Sequence, residues 1–437
     1  MTIAAGTLLM ATPLCSKADV GLWKALFTVT SAITVTGLSI IDIGTDLTIA
    51  GQILLVVLIL TGGLGLMAIT TFLQGFVQGR GGLRHRLDKG RALDEFGLGG
   101  IGSTFHQIIL FAGAVIALGT VLLYSFGFTD IPGRGQRLWA SFFHCVSAYN
   151  NAGFGLWRDS LIDYSSNAVV NLVIGALIVM GGIGWRVTND LWVNRFRLTR
   201  PRRLSMHTRL VLRSSLALIL IGALGLLFTE HFATERMVDQ LTGWQKIQVT
   251  LFQSITTRTA GFSTVPLNIS TISDAGLLLI MALMFIGASP GGTGGGIKTT
   301  TFATLVAATR SSLRGEEIVV VRQREIPLKL VLRAIGVTLG SMLFVLAMAL
   351  LLGLGNTTAG SPGSEAFTFL EKLFTCVSAF GTVGLDVGVT SQLNRWGQLV
   401  LMVGMFVGRI GILLLLSAVY GKRPQNRVGY PREELYI

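Results

Sequence analysis

Charge is scarce in this chain. Asp, Glu, Lys and Arg make up 13% of its 437 residues, where soluble domains carry about 25%. A soluble globular fold is thereby excluded. Cysteine is nearly absent too: Cys15, Cys145 and Cys376 show no CxxC spacing, so they read as small packing residues rather than metal or redox centres. The five histidines form no ligand pattern such as HExxH. No catalytic cluster is visible, which speaks against a membrane enzyme. No Asp or Glu falls mid-span, which speaks against a coupled carrier with an intramembrane acid at its substrate site. The N-terminus has no basic region ahead of its apolar stretch, so no signal peptide is expected.

Apolar residues are abundant, at 51% of the chain with a mean hydropathy of +0.66. The stretches Phe105–Phe128, Leu210–Phe228 and Leu328–Gly353 approach or exceed the roughly 20 residues needed to cross a bilayer. The chain reads as an integral, polytopic membrane protein.

Four short windows look alike. They are Val29–Leu38, Cys145–Phe154, Gln253–Phe262 and Cys376–Leu385. Each ends in Gly followed by Leu or Phe. The glycines, Gly37, Gly153, Gly261 and Gly384, are spaced by 116, 108 and 123 residues. Around each window the pattern predicts a helix, a short amphipathic helix, the Gly-ending loop and a second helix. The resulting units are 1–76, 105–192, 209–310 and 328–423, with a tail over 424–437. Short helices are expected near Val20–Ile33, Gln136–Tyr149, Trp244–Thr256 and Ser364–Phe380. These are too brief to span, and irregular backbone at membrane depth is tolerated only against protein or water. Four such loops meeting on one axis make a ring of carbonyls able to replace an ion's water shell. The expected fold is an all-α membrane protein of four helix–short helix–helix repeats: eight transmembrane helices and four re-entrant helices around a pseudo-fourfold pore. The opening helix, Met1–Cys15, is short for a span, and we expect further residues to precede it in the natural protein.

The net charge of +13 is unevenly placed. Of 35 basic residues, 23 fall in segments 77–104, 186–213, 309–333 and 420–437, each after the second helix of a unit. The positive-inside rule makes these segments cytoplasmic. Membrane topology accounts for the charge, and no nucleic-acid partner is expected.

The second helices share a Gly-Gly-Leu-Gly-like echo at Gly62–Gly65, Gly181–Gly184 and Gly408–Gly411, expected to allow close packing. The third unit departs, with Ala288-Ser289-Pro290-Gly291-Gly292-Thr293-Gly294-Gly295-Gly296-Ile297-Lys298-Thr299 at that place. No continuous helix tolerates so many glycines beside a proline. The third unit alone is expected to break its second helix, below the loop. Gly97–Gly102 fits a dinucleotide-binding GxGxxG, and Gly291–Thr299 faintly resembles a phosphate loop. Neither has a preceding strand, so no nucleotide is expected on this chain.

Four Gly-ending loops at matched spacing, with one Gly-rich break, resemble the Trk/Ktr/HKT superfamily of potassium transporters along nearly the whole chain. The ending Tyr430–Ile437 and the lack of extra leading helices resemble its Ktr-type translocating subunits. The resemblance implies that carbonyls of Val35, Thr36, Gly37, Asn151, Ala152, Gly153, Thr259, Ala260, Gly261, Thr382, Val383 and Gly384 bind K⁺ in a selectivity filter. It implies that Ala288–Thr301, including Lys298 and Thr299, is an intramembrane gate with Arg409 beside it. Arg409 alternatively serves as a structural ion pair or carbonyl cap. Arg258, inside the third loop, is expected to brace the filter from behind. Asp42 and Asp386 either concentrate cations at the mouth or are solvated surface carboxylates. The resemblance further implies channel-like K⁺ uptake, with K⁺ as the transported ion and Na⁺ dependence left open. It implies a homodimer in the lipid bilayer of a bacterial inner membrane, and a cytoplasmic nucleotide-binding regulatory ring, with a cytoplasmic C-terminus.

Overall fold

The computed structural model describes residues 2–17, 20–65, 67, 98–194, 204–232, 241–268, 271–316, 318–321, 324–354 and 367–411. The expected end of the fourth unit beyond 411, the tail 424–437, and most of 66–97 lie outside these residues.

The helices, in chain order, are α1 Thr2–Met10, α2 Gly21–Thr34, α3 Ile49–Leu60, α4 Leu98–Leu122, α5 Arg134–Tyr149, α6 Ala168–Ile183 and α7 Trp185–Val193. They continue with α8 Met206–His231, α9 Gly243–Thr256, α10 Asp274–Phe285, α11 Thr299–Leu313, α12 Leu328–Leu354, α13 Phe369–Gly381 and α14 Arg395–Ile410. A two-stranded hairpin, Val320–Val321 with Arg324–Glu325, precedes α12. Among the described residues three segments are long and apolar enough to cross a membrane: Phe105–Gly127, α8 and α12. Segments Ile49–Gly65 and α10 are apolar but shorter. The long helices bury little of themselves: only 28% of the most apolar window of α12 is covered by the rest of the chain. An outward face that apolar belongs against lipid.

The short helices fall where the pattern places them. α2, α5 and α9 match their expected bounds within two residues, whereas α13 starts at Phe369 rather than near Ser364. Its start is a capping box: Thr368 caps Glu371 N–H, and the Glu371 carboxylate accepts from Thr368 N–H at 2.7 Å. Thr242 and Gln245 repeat that device on α9. α1 stops at Met10, five residues short of the expectation, before Pro13, which has no N–H to extend a helix.

The helices that follow the four loops each start on a side-chain cap. Thr48 caps Gly51 N–H, Asn167 caps those of Val169 and Val170, Ser273 caps Gly276, and Asn394 caps Gly397. Each cap satisfies a donor that the first turn leaves free.

The packing closes on itself. The second helix of each unit lies against the short helix of the next: α3 on α5, α6 on α9, α10 on α13, and α14 back on α2. Two buried apolar clusters flank this arrangement, one around Phe143, Tyr149 and Phe154, the other around Phe374, Phe380 and Met405.

One expectation is corrected. The third unit is not alone in breaking its second helix. In the second unit α6 and α7 meet at a bend of 98°. The cause is Gly184, at φ 88° and ψ 152°, a region open in practice only to glycine. A Cβ there would lie 2.8 Å from Pro290 O and from Gly291 C. In the first unit the echo Thr61–Gly65 is a π-helical turn.

Candidate functional site: a ring of four backbone loops above a Gly-rich segment

The last turn of each short helix leads into an alternation of left-handed backbone. The first loop residue is left-handed in all four units: Val35 (φ 55°), Asn151 (57°), Thr259 (74°) and Thr382 (50°). So are the glycines, Gly37 (94°), Gly153 (71°), Gly261 (79°) and Gly384 (90°). A left-handed β-branched residue is an outlier, costing about 1–3 kcal/mol. Helix-end hydrogen bonds hold it. Val35 N–H donates to Ala32 O (3.1 Å) and Thr36 N–H to Ser31 O (2.9 Å); Thr382 and Val383 do the same to Ala379 and Ser378. In the first and fourth loops a serine hydroxyl then takes the glycine N–H, Ser31 for Gly37 and Ser378 for Gly384, both at 3.1 Å.

The glycines define a closed ring. A Cβ built on Gly37 would lie 2.5 Å from Ala152 O, on Gly153 3.0 Å from Ala260 O, on Gly261 2.4 Å from Val383 O, and on Gly384 2.1 Å from Thr36 O. Each loop thus sets its glycine against the carbonyl before the glycine of the next, in the order one, two, three, four, one. No N–H or hydroxyl of the described residues donates to any of the twelve carbonyls from Val35 to Gly37, Asn151 to Gly153, Thr259 to Gly261 and Thr382 to Gly384. Their first two residues in every loop are fully buried. Buried carbonyls without donors are costly unless a cation or water meets them.

All four glycines line a single cavity of about 740 Å³ on one side of the ring. Asp42, Asp159 and Asp386 line it as well. Asp42 also caps a short turn, accepting from Gly44 N–H at 3.0 Å, and Asp386 accepts from Thr390 N–H at 3.3 Å. Both carboxylates are therefore fixed in the wall of the mouth.

On the opposite side lies the Gly-rich segment between α10 and α11. It touches the second unit, the third loop and the fourth loop directly, and it is linked to the first unit through Arg409. Thr293 N–H and Ser289 N–H donate to Gly181 O (3.1 Å) and Gly182 O (3.0 Å) of the second. Gly295 N–H donates to the Thr382 hydroxyl of the fourth loop at 2.9 Å. A Cβ on Gly294 would overlap the Thr259 hydroxyl at 1.9 Å. Arg409 donates to Thr293 O and, at 2.6 Å, to Gly62 O of the first unit. Its partners are carbonyls, as in the capping alternative. Lys298 Nζ donates back to Gly294 O at 2.7 Å. The hydroxyls of Ser289 and Thr299 meet at 2.9 Å, tying the two ends of the segment.

The echo glycines have a role that sequence reasoning assigned only to close packing. A Cβ on Gly62, Gly181 or Gly408 would fall 1.8–2.0 Å from Ile33 O, Tyr149 O or Phe380 O. These three carbonyls each stand four residues before a ring glycine. Arg258 lies behind the third loop, donating to Ser215 O (3.3 Å) and Gly287 O (3.2 Å), as a brace would. Sequence reasoning passed over Ser31 and Ser378; the signal was their shared place six residues before the glycine. Ser147 has that place in the second unit, but its buried hydroxyl finds no partner.

A family model described as a cation transport protein, TrkH, matches residues 2–428. The chain belongs to the TrkH family of cation transport proteins. It is 34% identical to the Ktr system potassium uptake protein B of Bacillus subtilis, over 100% of this chain and 94% of that one. With the protein of the same description from Vibrio alginolyticus it shares 33%, over 97% and 90%. With the potassium/sodium uptake protein NtpJ of Enterococcus hirae it shares 32%, over 94% and 89%. The crystal structure of the potassium transporter TrkH from Vibrio parahaemolyticus superposes with a TM-score of 0.74 at 19% identity, covering 96% of this chain and 82% of that one, which establishes the shared fold. Membership of a transporter family and the lipid-ready helices make this a membrane transport protein.

Proposed function

We propose that this TrkH-family member carries K⁺ inward through one pore per chain, and that the ring of loops is its selectivity filter. The observation that carries the reading is the closed ring of glycine–carbonyl contacts, with twelve carbonyls to which none of the described residues donates. A dehydrated K⁺ needs several oxygens at once, and four backbones on one axis supply them without side-chain charge. The ion moves down its electrochemical gradient, driven by about 2.3 kcal/mol per charge per 100 mV. The loops have one shared glycine each, so fewer well-formed carbonyl rings are expected than in a tetrameric channel. Coupling to Na⁺ is the second reading, favoured by the likeness to a potassium/sodium uptake protein.

The Gly-rich segment is the gate. It closes the inner side of the ring through Thr382 and Thr293, and Arg409 holds it down. The architecture is four repeats, 1–76, 105–192, 209–310 and 328–423, giving eight transmembrane and four re-entrant helices. Basic segments and C-terminus face the cytoplasm of a bacterial inner membrane. A homodimer and a cytoplasmic nucleotide-binding ring complete the proposed system; that a relative is described as part of a Ktr system supports partner subunits.

The test is K⁺ against Na⁺ uptake in proteoliposomes, for wild type and for Gly→Ser at 37, 153, 261 and 384. Loss of uptake or of selectivity in each variant is expected. Normal selective uptake by all four sinks the shared filter.

A further inference from the structure

Beside the Gly-rich segment lies a second cavity, of about 750 Å³, lined by none of the ring residues. Its walls come from α10, α11 and α12: Ala282 and Phe285, then Phe302, Leu305 and Val306, then Thr338. Arg310 and Arg314 close one end. The cavity is open because α11 is thinly covered: of its 15 residues only Thr299 and Ser311 are buried. It opens on a lipid-facing surface, since α12 exposes Leu332 and Leu339 by 60% and 57%.

We propose that this groove binds one anionic phospholipid. The acyl chain lies along Phe285, Phe302 and Leu305, and the phosphate meets Arg310 and Arg314. Charge complementarity selects the occupant. Two guanidinium groups one helical turn apart cap an otherwise apolar slot, and guanidinium pairs with phosphate through two parallel hydrogen bonds. Among the described residues Arg314 pairs with Glu316 at 3.9 Å, both side chains being about half exposed, a solvent-exposed pair of the weak class that leaves the guanidinium available. α11 is about 22 Å long, so the slot runs from mid-membrane to the interface where headgroups sit. Ile286 and Ile297, which bridge the two ends of the Gly-rich segment, form its inner wall. An occupant therefore touches both ends of that segment. Its effect on flux rests on the gating reading; its binding does not.

The experiment is native mass spectrometry of the full chain extracted from vesicles of phosphatidylglycerol and phosphatidylcholine. Wild type is expected to retain phosphatidylglycerol preferentially. Arg310→Gln with Arg314→Gln is expected to cut that preference about thirtyfold, and Leu305→Trp to empty the slot without changing charge. Equal retention of the two lipids by wild type, or wild-type retention by both variants, overturns the proposal. So does a disulfide formed between two copies through Val306→Cys, which would put a second chain in the groove. If loop deletion leaves flux unchanged while lipid binding persists, the gate fails and the lipid site stands.

Discussion

At the residue scale the ring makes a graded prediction. The distance at which a Cβ would meet the next loop shrinks from 3.0 Å at Gly153 through 2.5 Å at Gly37 and 2.4 Å at Gly261 to 2.1 Å at Gly384. Alanine is strained at all four, because each φ is positive. Rubidium uptake should therefore fall least in Gly153→Ala and most in Gly384→Ala. An inverted order would mean that the loops do not touch as described. Thr382 allows a second test. Its hydroxyl accepts the Gly295 N–H, and Thr382→Val leaves that donor buried without a partner, a cost of about 1–3 kcal/mol. Since the penalty falls on the state with the segment in place, basal K⁺ flux should rise. Thr382→Ser, which keeps the hydroxyl, should stay near wild type. Arg409→Gln loses the bridge between Thr293 O and Gly62 O and should raise flux in the same assay.

At the element scale the recurring features are helix ends. The loops are preceded by short helices that stop in left-handed backbone, and followed by helices that start on Thr48, Asn167, Ser273 or Asn394. Replacing one such cap by alanine costs about 1 kcal/mol. Ser273→Ala and Asn394→Ala should lower the melting temperature by a few degrees and leave ion selectivity unchanged, as thermal unfolding and uptake together would report. Selectivity lost with either cap would place those ends in the filter itself. The short helices were legible because their amphipathic runs end at a repeated Gly. The bend at Gly184 was not, since Gly-Gly-Ile-Gly reads alike in a helix that bends and one that continues. The neighbour decides: Gly184 yields to the Pro290–Gly292 backbone packed against it, which lies over 100 residues away in the chain.

At the scale of the whole molecule, the Gly-rich segment contacts the second, third and fourth units and is linked to the first through Arg409, so its removal cannot act on one quadrant alone. Deleting Gly291–Gly296 should raise K⁺ flux severalfold while K⁺ over Na⁺ selectivity, which the proposed filter assigns to the ring, persists. Flux that stays at the wild-type level would show that the segment is a passive kink.

By itself the sequence determined the membrane character, the four windows and the place of the helix break, because hydropathy, repeat spacing and glycine content are local quantities. It also brought the Arg409 echo and the Gly-rich break to notice. Only the tertiary structure decided that the windows meet in one closed order, that Thr382 ties the break to the ring and Arg409 ties it to the first unit, and that the second unit bends as well. Those facts depend on which backbone lies beside which glycine, and a contact across 87 to 348 residues leaves no mark in local composition.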